Sequence, residues 1–238
     1  MKNTPLNNLF LETIEHSFKM FLDVETSRST KKLKPLHGTI AKNLAEKLGD
    51  DYTIYSQGYG SNVEATIEGR YINKKVDITI KKAGKPIAGI AVKFVMQNYS
   101  QNSNNYFENM LGETANIRCN KYPYFQIFVI LDRLPYYDKD KNIKRWETFT
   151  EHNISKYISL SKDDIDRFLH APNKTLIYVV HIPDNDDLST QKEYMNFYRN
   201  EEYKMSISSC KYEMFDNAVI INDYDSFVDK VYHTILSL

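Results

Sequence analysis

The sequence predicts an α/β fold, a central mixed β-sheet flanked by helices, and three observations predict it. Apolar residues recur every three or four positions in the first fifty residues and again at the end of the chain, the period of a helix with one buried face. Between residues 51 and 132 the period shortens to two, as in a strand that hides one side. Gly 8 and Pro 7 in 238 residues leave too little turn-forming material for many short hairpins, which disfavours an all-β chain.

The elements follow in order. Phe10, Ile14, Phe18, Phe21 and Leu22 mark a first helix, and Leu36, Ile40, Leu44 and Leu48 a second, with Gly49 where a left-handed C-terminal cap is wanted. Arg28 to Pro35 (RSTKKLKP) reads as a basic, flexible connection, either a solvated loop or a phosphate-contacting arm carrying Lys31, Lys32 and Lys34. Val76, Ile78 and Ile80 alternate with Asp77 and Thr79; a turn over Lys82 to Pro86 then leads into an apolar run from Ile87 to Met96, so the two pair as a hairpin. After the polar stretch Gln97 to Asn105 comes a helix over Tyr106 to Arg118, with Ser103 or Asn104 as its cap. Tyr124 to Leu131 (YFQIFVIL) is apolar enough for a central strand buried on both faces.

Lys139 to Arg145 reads as a surface loop, and Ser161 to Asp164 as a capping box before a helix carrying Ile165, Phe168 and Leu169. His170 would end that helix, and Trp146 belongs to the core. Thr175 to Ile182 is a further strand. A last helix, capped by Asp223 or Asp225, buries Phe227, Val228, Val231, Ile235 and Leu238. With no repeat and no linker, the whole chain, residues 1–238, reads as one domain: a helical N-terminal region over residues 1–50, a core over residues 51–132 and a peripheral α/β region over residues 133–238.

Composition bounds the function. A 42% hydrophobic, 26% charged chain can bury a core, and Lys+Arg 31 against Asp+Glu 31 announces no nucleic-acid partner, although neutrality can conceal a basic cleft. Cys119 and Cys210 are isolated, so neither a disulfide framework nor a paired-cysteine zinc site is expected, and a reducing, cytoplasmic setting fits. No apolar leader stands at the N-terminus and no apolar run would span a membrane.

Asp77 and Lys93 each place a charge inside an apolar strand, where it is expensive without compensation. Strand parity turns Asp77 away from Val76, Ile78 and Ile80, and turns Lys93 to the side of Gly89 and Ala91. Across the hairpin the two form either a cross-strand salt bridge or the floor of a cleft. Glu64 and Glu68 upstream and Glu108 and Glu113 downstream can approach the pair, and such a cluster invites a hard divalent cation of the magnesium kind. No paired His motif, phosphate-cradling Gly-Lys loop or nucleophile elbow competes with this site.

With Val76-Asp77 on one strand and Ala91-Val92-Lys93 on the next, the chain resembles the PD-(D/E)XK nuclease superfamily, in particular type II restriction endonucleases. Glu68 to Tyr71, the Asn-rich segment and Gly112-Glu113-Thr114 extend the resemblance over roughly the central third of the chain. It implies a restriction-endonuclease-like sheet, Mg2+, double-stranded DNA as substrate, a homodimer and a bacterial cytoplasmic setting. Asp77 would bind the metal and Lys93 would act on the attacking water. Ala91 occupies the position of the second acid, so only its backbone carbonyl would contribute, and Glu64, Glu108 or Glu113 would supply the missing carboxylate.

Asn98, Asn102, Asn104 and Asn105 read either as a polar loop or as a DNA-facing one, since amides can pair with adenine or donate to phosphates. Two further readings stay open: a non-catalytic nucleic-acid-binding or assembly module of the same fold, and a nuclease for RNA or branched DNA.

Overall fold

The computed structural model describes residues 4–24, 30–209, 216 and 218–238. Two helices open it, α1 (Pro5–Val24) and α2 (Lys34–Leu48). The strands β1 (Tyr52–Ser56), β2 (Ala65–Ile67), β3 (Lys74–Val76), β4 (Ile78–Lys82) and β5 (Lys85–Val95) follow. Helix α3 (Tyr99–Arg118) leads to β6 (Tyr124–Leu131), β7 (Arg133–Tyr137), β8 (Ile143–Thr148) and α4 (Glu151–Ser161). The chain ends with β9 (Lys174–His181), α5 (Gln191–Asn200), β10 (Ser206–Ile207), β11 (Val219–Ile221) and α6 (Tyr224–Leu236).

Among the described residues the main sheet has seven strands in the order β1-β4-β5-β6-β9-β10, with β11 also beside β9. It is mixed: β1, β4 and β5 pair antiparallel, whereas β5, β6 and β9 run parallel. The hairpin turns on Ala83 and Gly84, both at positive φ, the two-residue geometry that matches the twist of the flanking strands. Every residue of β6 is buried, as its composition requires for a strand covered on both faces. One face carries α1, α2 and α6, with Phe18 against Phe94, Phe10 across Tyr178, and Phe227 on Phe125. The opposite face carries α3 and α4, where Tyr157 meets Phe107 and Phe128.

Several expectations need correction. The Asn-rich segment is helical from Tyr99, because Tyr99 is buried edge-on to Phe149 and the Glu147 carboxylate accepts the free Ser100 N–H at 3.2 Å. Neither Ser103 nor Asn104 caps the helix; both lie inside it. No helix follows Ser161: residues 162–171 form turns in which Asp164 accepts the Asp166 N–H, and of the expected stripe only Ile165 packs against the core while Phe168 and Leu169 stay partly exposed. His170 therefore sits in a turn, 3.6 Å from Asp163.

Lys139 to Arg145 is partly strand, the turn and start of a β7–β8 hairpin, and Trp146 is half-buried beneath the Arg133 guanidinium. Asp223 rather than Asp225 caps α6, accepting from Ser226 N–H, and Leu238 lies beyond the helix and exposed. The basic connection is not an extended arm where it is described: Thr30–Leu33 is a 3-10 helix with Lys32 buried over the Phe21 ring. Arg28, Ser29 and Cys210 lie outside the described residues. Among the described residues no helix is long and apolar enough to cross a membrane.

Candidate functional site

The chain bends at Asp77 as it passes from the small β2–β3 sheet into β4 of the main sheet, and this bend creates the site. The Asp77 side chain turns to the α3 face and accepts the Val92 N–H at 2.8 Å, which anchors the carboxylate next to Ala91. Lys93 projects from the same face of β5, its Nζ 4.4 Å from the Tyr106 ring centroid. Among the described residues Asp77 and Lys93 form no direct ion pair; they face each other across a cleft of about 700 Å³. The cross-strand salt bridge is therefore not what the fold builds.

Helix α3 roofs this cleft. Tyr106, Asn109, Glu113 and Asn116 follow one another at helical spacing and all line it, together with Gln126 from β6. Glu113 is held from two sides: Lys74 pairs with it at 2.8 Å and the buried Tyr124 hydroxyl donates to it. Gly89 makes that support possible, since a Cβ there would stand 2.9 Å from the Tyr124 ring and 2.8 Å from Ile67. Glu64 lies on the other side of Asp77, accepting from Gln57 Nε2 at 2.7 Å with Lys75 Nζ at 3.7 Å. Consecutive residues of β3 thus send one lysine to each flanking acid.

Burial pushes the Asp77 carboxyl up from 3.8 to about 6; the Glu113 charge adds to the rise, while the Val92 N–H, Lys74 and Lys93 oppose it. Burial likewise lowers Lys93 below its ordinary value, against the pull of Asp77 and Glu113. A perturbed acid and a perturbed base in one cleft are what acid–base or metal chemistry uses.

One residue of the site carries no visible signal in the sequence. His37, on α2, is 4% exposed, and neither ring nitrogen has a hydrogen-bond partner. One ligand atom each from His37, Glu64 and Asp77 lie within 4.8 Å of one another. Burial lowers the His37 pKa to about 4, against the raising effect of Glu64, so the ring is neutral at physiological pH and has a free lone pair. The donor set fits a divalent cation: two carboxylates and an imidazole.

The remaining expected residues are less central. Glu108 is exposed on the cleft rim and influences Lys156, while Glu68 is exposed on the loop that follows β2. Asn98 spends its amide oxygen on the Tyr137 N–H at 2.8 Å, and Asn104 accepts from Lys156 at 3.3 Å. Asn105 is exposed, whereas Asn102 lines a second cavity of about 280 Å³ that shares Lys93 and Tyr106 with the main cleft. Lys32 lines it too, its pKa lowered to about 8 by burial and the nearby Lys93. Lys31 is exposed and Lys34 begins α2. No family profile, curated protein or solved structure matches this chain.

Proposed function

We propose that the protein is a divalent-metal-dependent endodeoxyribonuclease with a restriction-endonuclease-like fold, hydrolysing phosphodiester bonds of double-stranded DNA at a specific sequence. The observation that carries this reading is the convergence of Asp77, Glu64 and Glu113 with Lys93 where an antiparallel hairpin meets a parallel strand. Asp77 and Glu64 hold the cation, for which Mg2+ is the first assignment by resemblance. When bound it polarises the phosphate and lowers the pKa of a coordinated water.

Glu113 approaches from the helix over Ala91 and supplies the carboxylate that β5 lacks. Lys93 orients the attacking water and offsets the charge that grows on the phosphorus oxygens as the bond to the 3′ oxygen breaks, leaving a 5′-phosphate. The basic side chains beside the cleft, Lys32, Lys74 and Lys75, suit an anionic substrate despite zero net charge. Recognition of a symmetric site carries with it a twofold homodimer, and restriction carries a bacterial cytoplasmic setting.

The test is incubation of full-length protein with supercoiled plasmid and with linear duplex DNA, in Mg2+, Mn2+ or chelator, beside Asp77→Asn and Lys93→Ala. Discrete metal-dependent fragments from the wild type alone support the reading. Intact DNA with either metal refutes it. Ala91 favours a second reading, a nucleic-acid-binding module that has lost its chemistry; gel-shift binding without cleavage under any ion would select it.

A further inference from the structure

We propose that His37 is a direct ligand of the bound cation and that the site therefore takes a first-row transition ion, manganese in preference to magnesium. This deepens the nuclease reading by assigning its cofactor, and it stands on different observations.

The first is geometric. Octahedral ligands at the short distances such cations require stand about 3 Å apart when adjacent and about 4.2 Å apart when opposite. The His37 nitrogen and the Glu64 and Asp77 oxygens, all within 4.8 Å of one another, need only a side-chain adjustment to share one ion. The second is the state of the ring: His37 is buried, yet both nitrogens lack a partner, which native interiors rarely tolerate without a reason. The third is how the backbone delivers it. Gly38 follows His37, and a Cβ there would run into the Gly58 carbonyl oxygen; a Cβ at Gly58 would run into the Lys34 carbonyl oxygen. Paired glycines thus let the first turn of α2 close onto the loop after β1, and Gln57 in that loop orients Glu64.

A magnesium site is made of oxygen ligands and retained waters, whereas an imidazole nitrogen raises affinity for transition cations over magnesium. Manganese accepts the mixed set while keeping positions open for water and phosphate.

The experiment titrates metal-free full-length protein with Mn2+ alone and with Mg2+ alone by calorimetry, and records pulsed electron paramagnetic resonance of the Mn2+-loaded protein. The expected result is at least tenfold tighter Mn2+ binding and a nitrogen coupling of the size given by a directly bound imidazole. His37→Gln should abolish that coupling and bring the two affinities within about threefold. Absence of a directly bound nitrogen in the wild type, a measurement that needs no variant to fold, overturns the proposal, as do equal affinities for the two ions. Nitrogen-ligated Mn2+ without DNA cleavage would keep this inference and sink the nuclease reading; cleavage with Mg2+ and no nitrogen coupling would do the reverse.

Discussion

Replacing Asp77 by Asn should make the metal-free protein more stable at pH 8 while abolishing cleavage. Asp77 lies at the floor of the cleft beside Glu113, and its pKa rises from 3.8 to about 6 on folding. Between those values the folded state holds more protons than the unfolded one, so stability falls as pH rises through the window. Above pH 6 the full cost is present, and a rise of this size corresponds to at most about 3 kcal/mol. Asparagine keeps an oxygen for the Val92 N–H bond at 2.8 Å and removes the charge.

Allowing for partial solvent access, a gain of about 2 kcal/mol should remain, which for a domain of this size raises the melting midpoint by roughly 4–8 °C. Differential scanning calorimetry in chelator between pH 4 and 8 reads it directly. The difference between variant and wild type should be largest at pH 8 and shrink to a small remainder near pH 4, where the folded carboxyl is protonated and the unfolded one, with its ordinary value of 3.8, is beginning to be. A lower midpoint for the variant at pH 8 would refute the argument, because it would mean that the carboxylate holds the fold together. A gain of equal size at pH 4 would refute it as well, since no charge is left there to relieve.

Lys93→Met should also leave the melting midpoint at pH 7 unreduced, since the folded state lowers the Lys93 pKa and its charged form is the disfavoured one below that value; cleavage should be lost. Glu113→Gln should weaken cleavage by at least tenfold and demand more metal, whereas Glu108→Gln on the exposed rim should stay within about threefold; initial rates across a metal titration separate them. Gly89→Ala should destabilise by about 1–3 kcal/mol, because its Cβ meets Ile67 and Tyr124 below 3 Å in a packed layer, and thermal melts measure that cost.

Elements with a strong period are legible in the sequence. The stripes of α1, α2 and α6 and the run of β6 appear in the fold, because burial on one face or both writes itself into local spacing, whereas β4 buries Ile78, Thr79 and Ile80 alike in place of the expected alternation. Segments whose partners lie far along the chain are not. Tyr99 to Asn105 is polar in itself and becomes helical through Phe149 and Glu147, some fifty residues away. Ile165, Phe168 and Leu169 have helical spacing, but only Ile165 reaches the core, and turns replace the helix. Helix α5 does carry a signal: Thr190 and Glu193 form a reciprocal capping box whose residue types and spacing stand in the sequence.

The same division runs through the site. Parity turns Lys93 and Ala91 to the cleft side of β5, but the expected face shared by Val76, Ile78 and Ile80 does not form. The chain bends at Asp77, Val76 packs with Ile67, Ile117 and Tyr124 apart from Ile78 and Ile80, and it is this bend that aims Asp77 at Lys93. Glu113 reaches the space over Ala91 by an indirect route: Gly89 admits the Tyr124 ring, and the hydroxyl of that ring holds the carboxylate while Lys74 balances its charge. Ala91 and Glu113 line the same cleft, so a larger side chain at position 91 would extend into the space that Glu113 faces. On the proposed reading, a small residue on the strand and an acid on the helix would be one arrangement rather than a loss and an unrelated gain. Restoring a carboxylate by Ala91→Glu should crowd Glu113 and Asp77, raise the Asp77 pKa further and lower stability at pH 8, as thermal melts at that pH would read. If that variant were instead more stable and bound metal more tightly, Glu113 would not be the group that fills the space, and a different acid would have to complete this cleft.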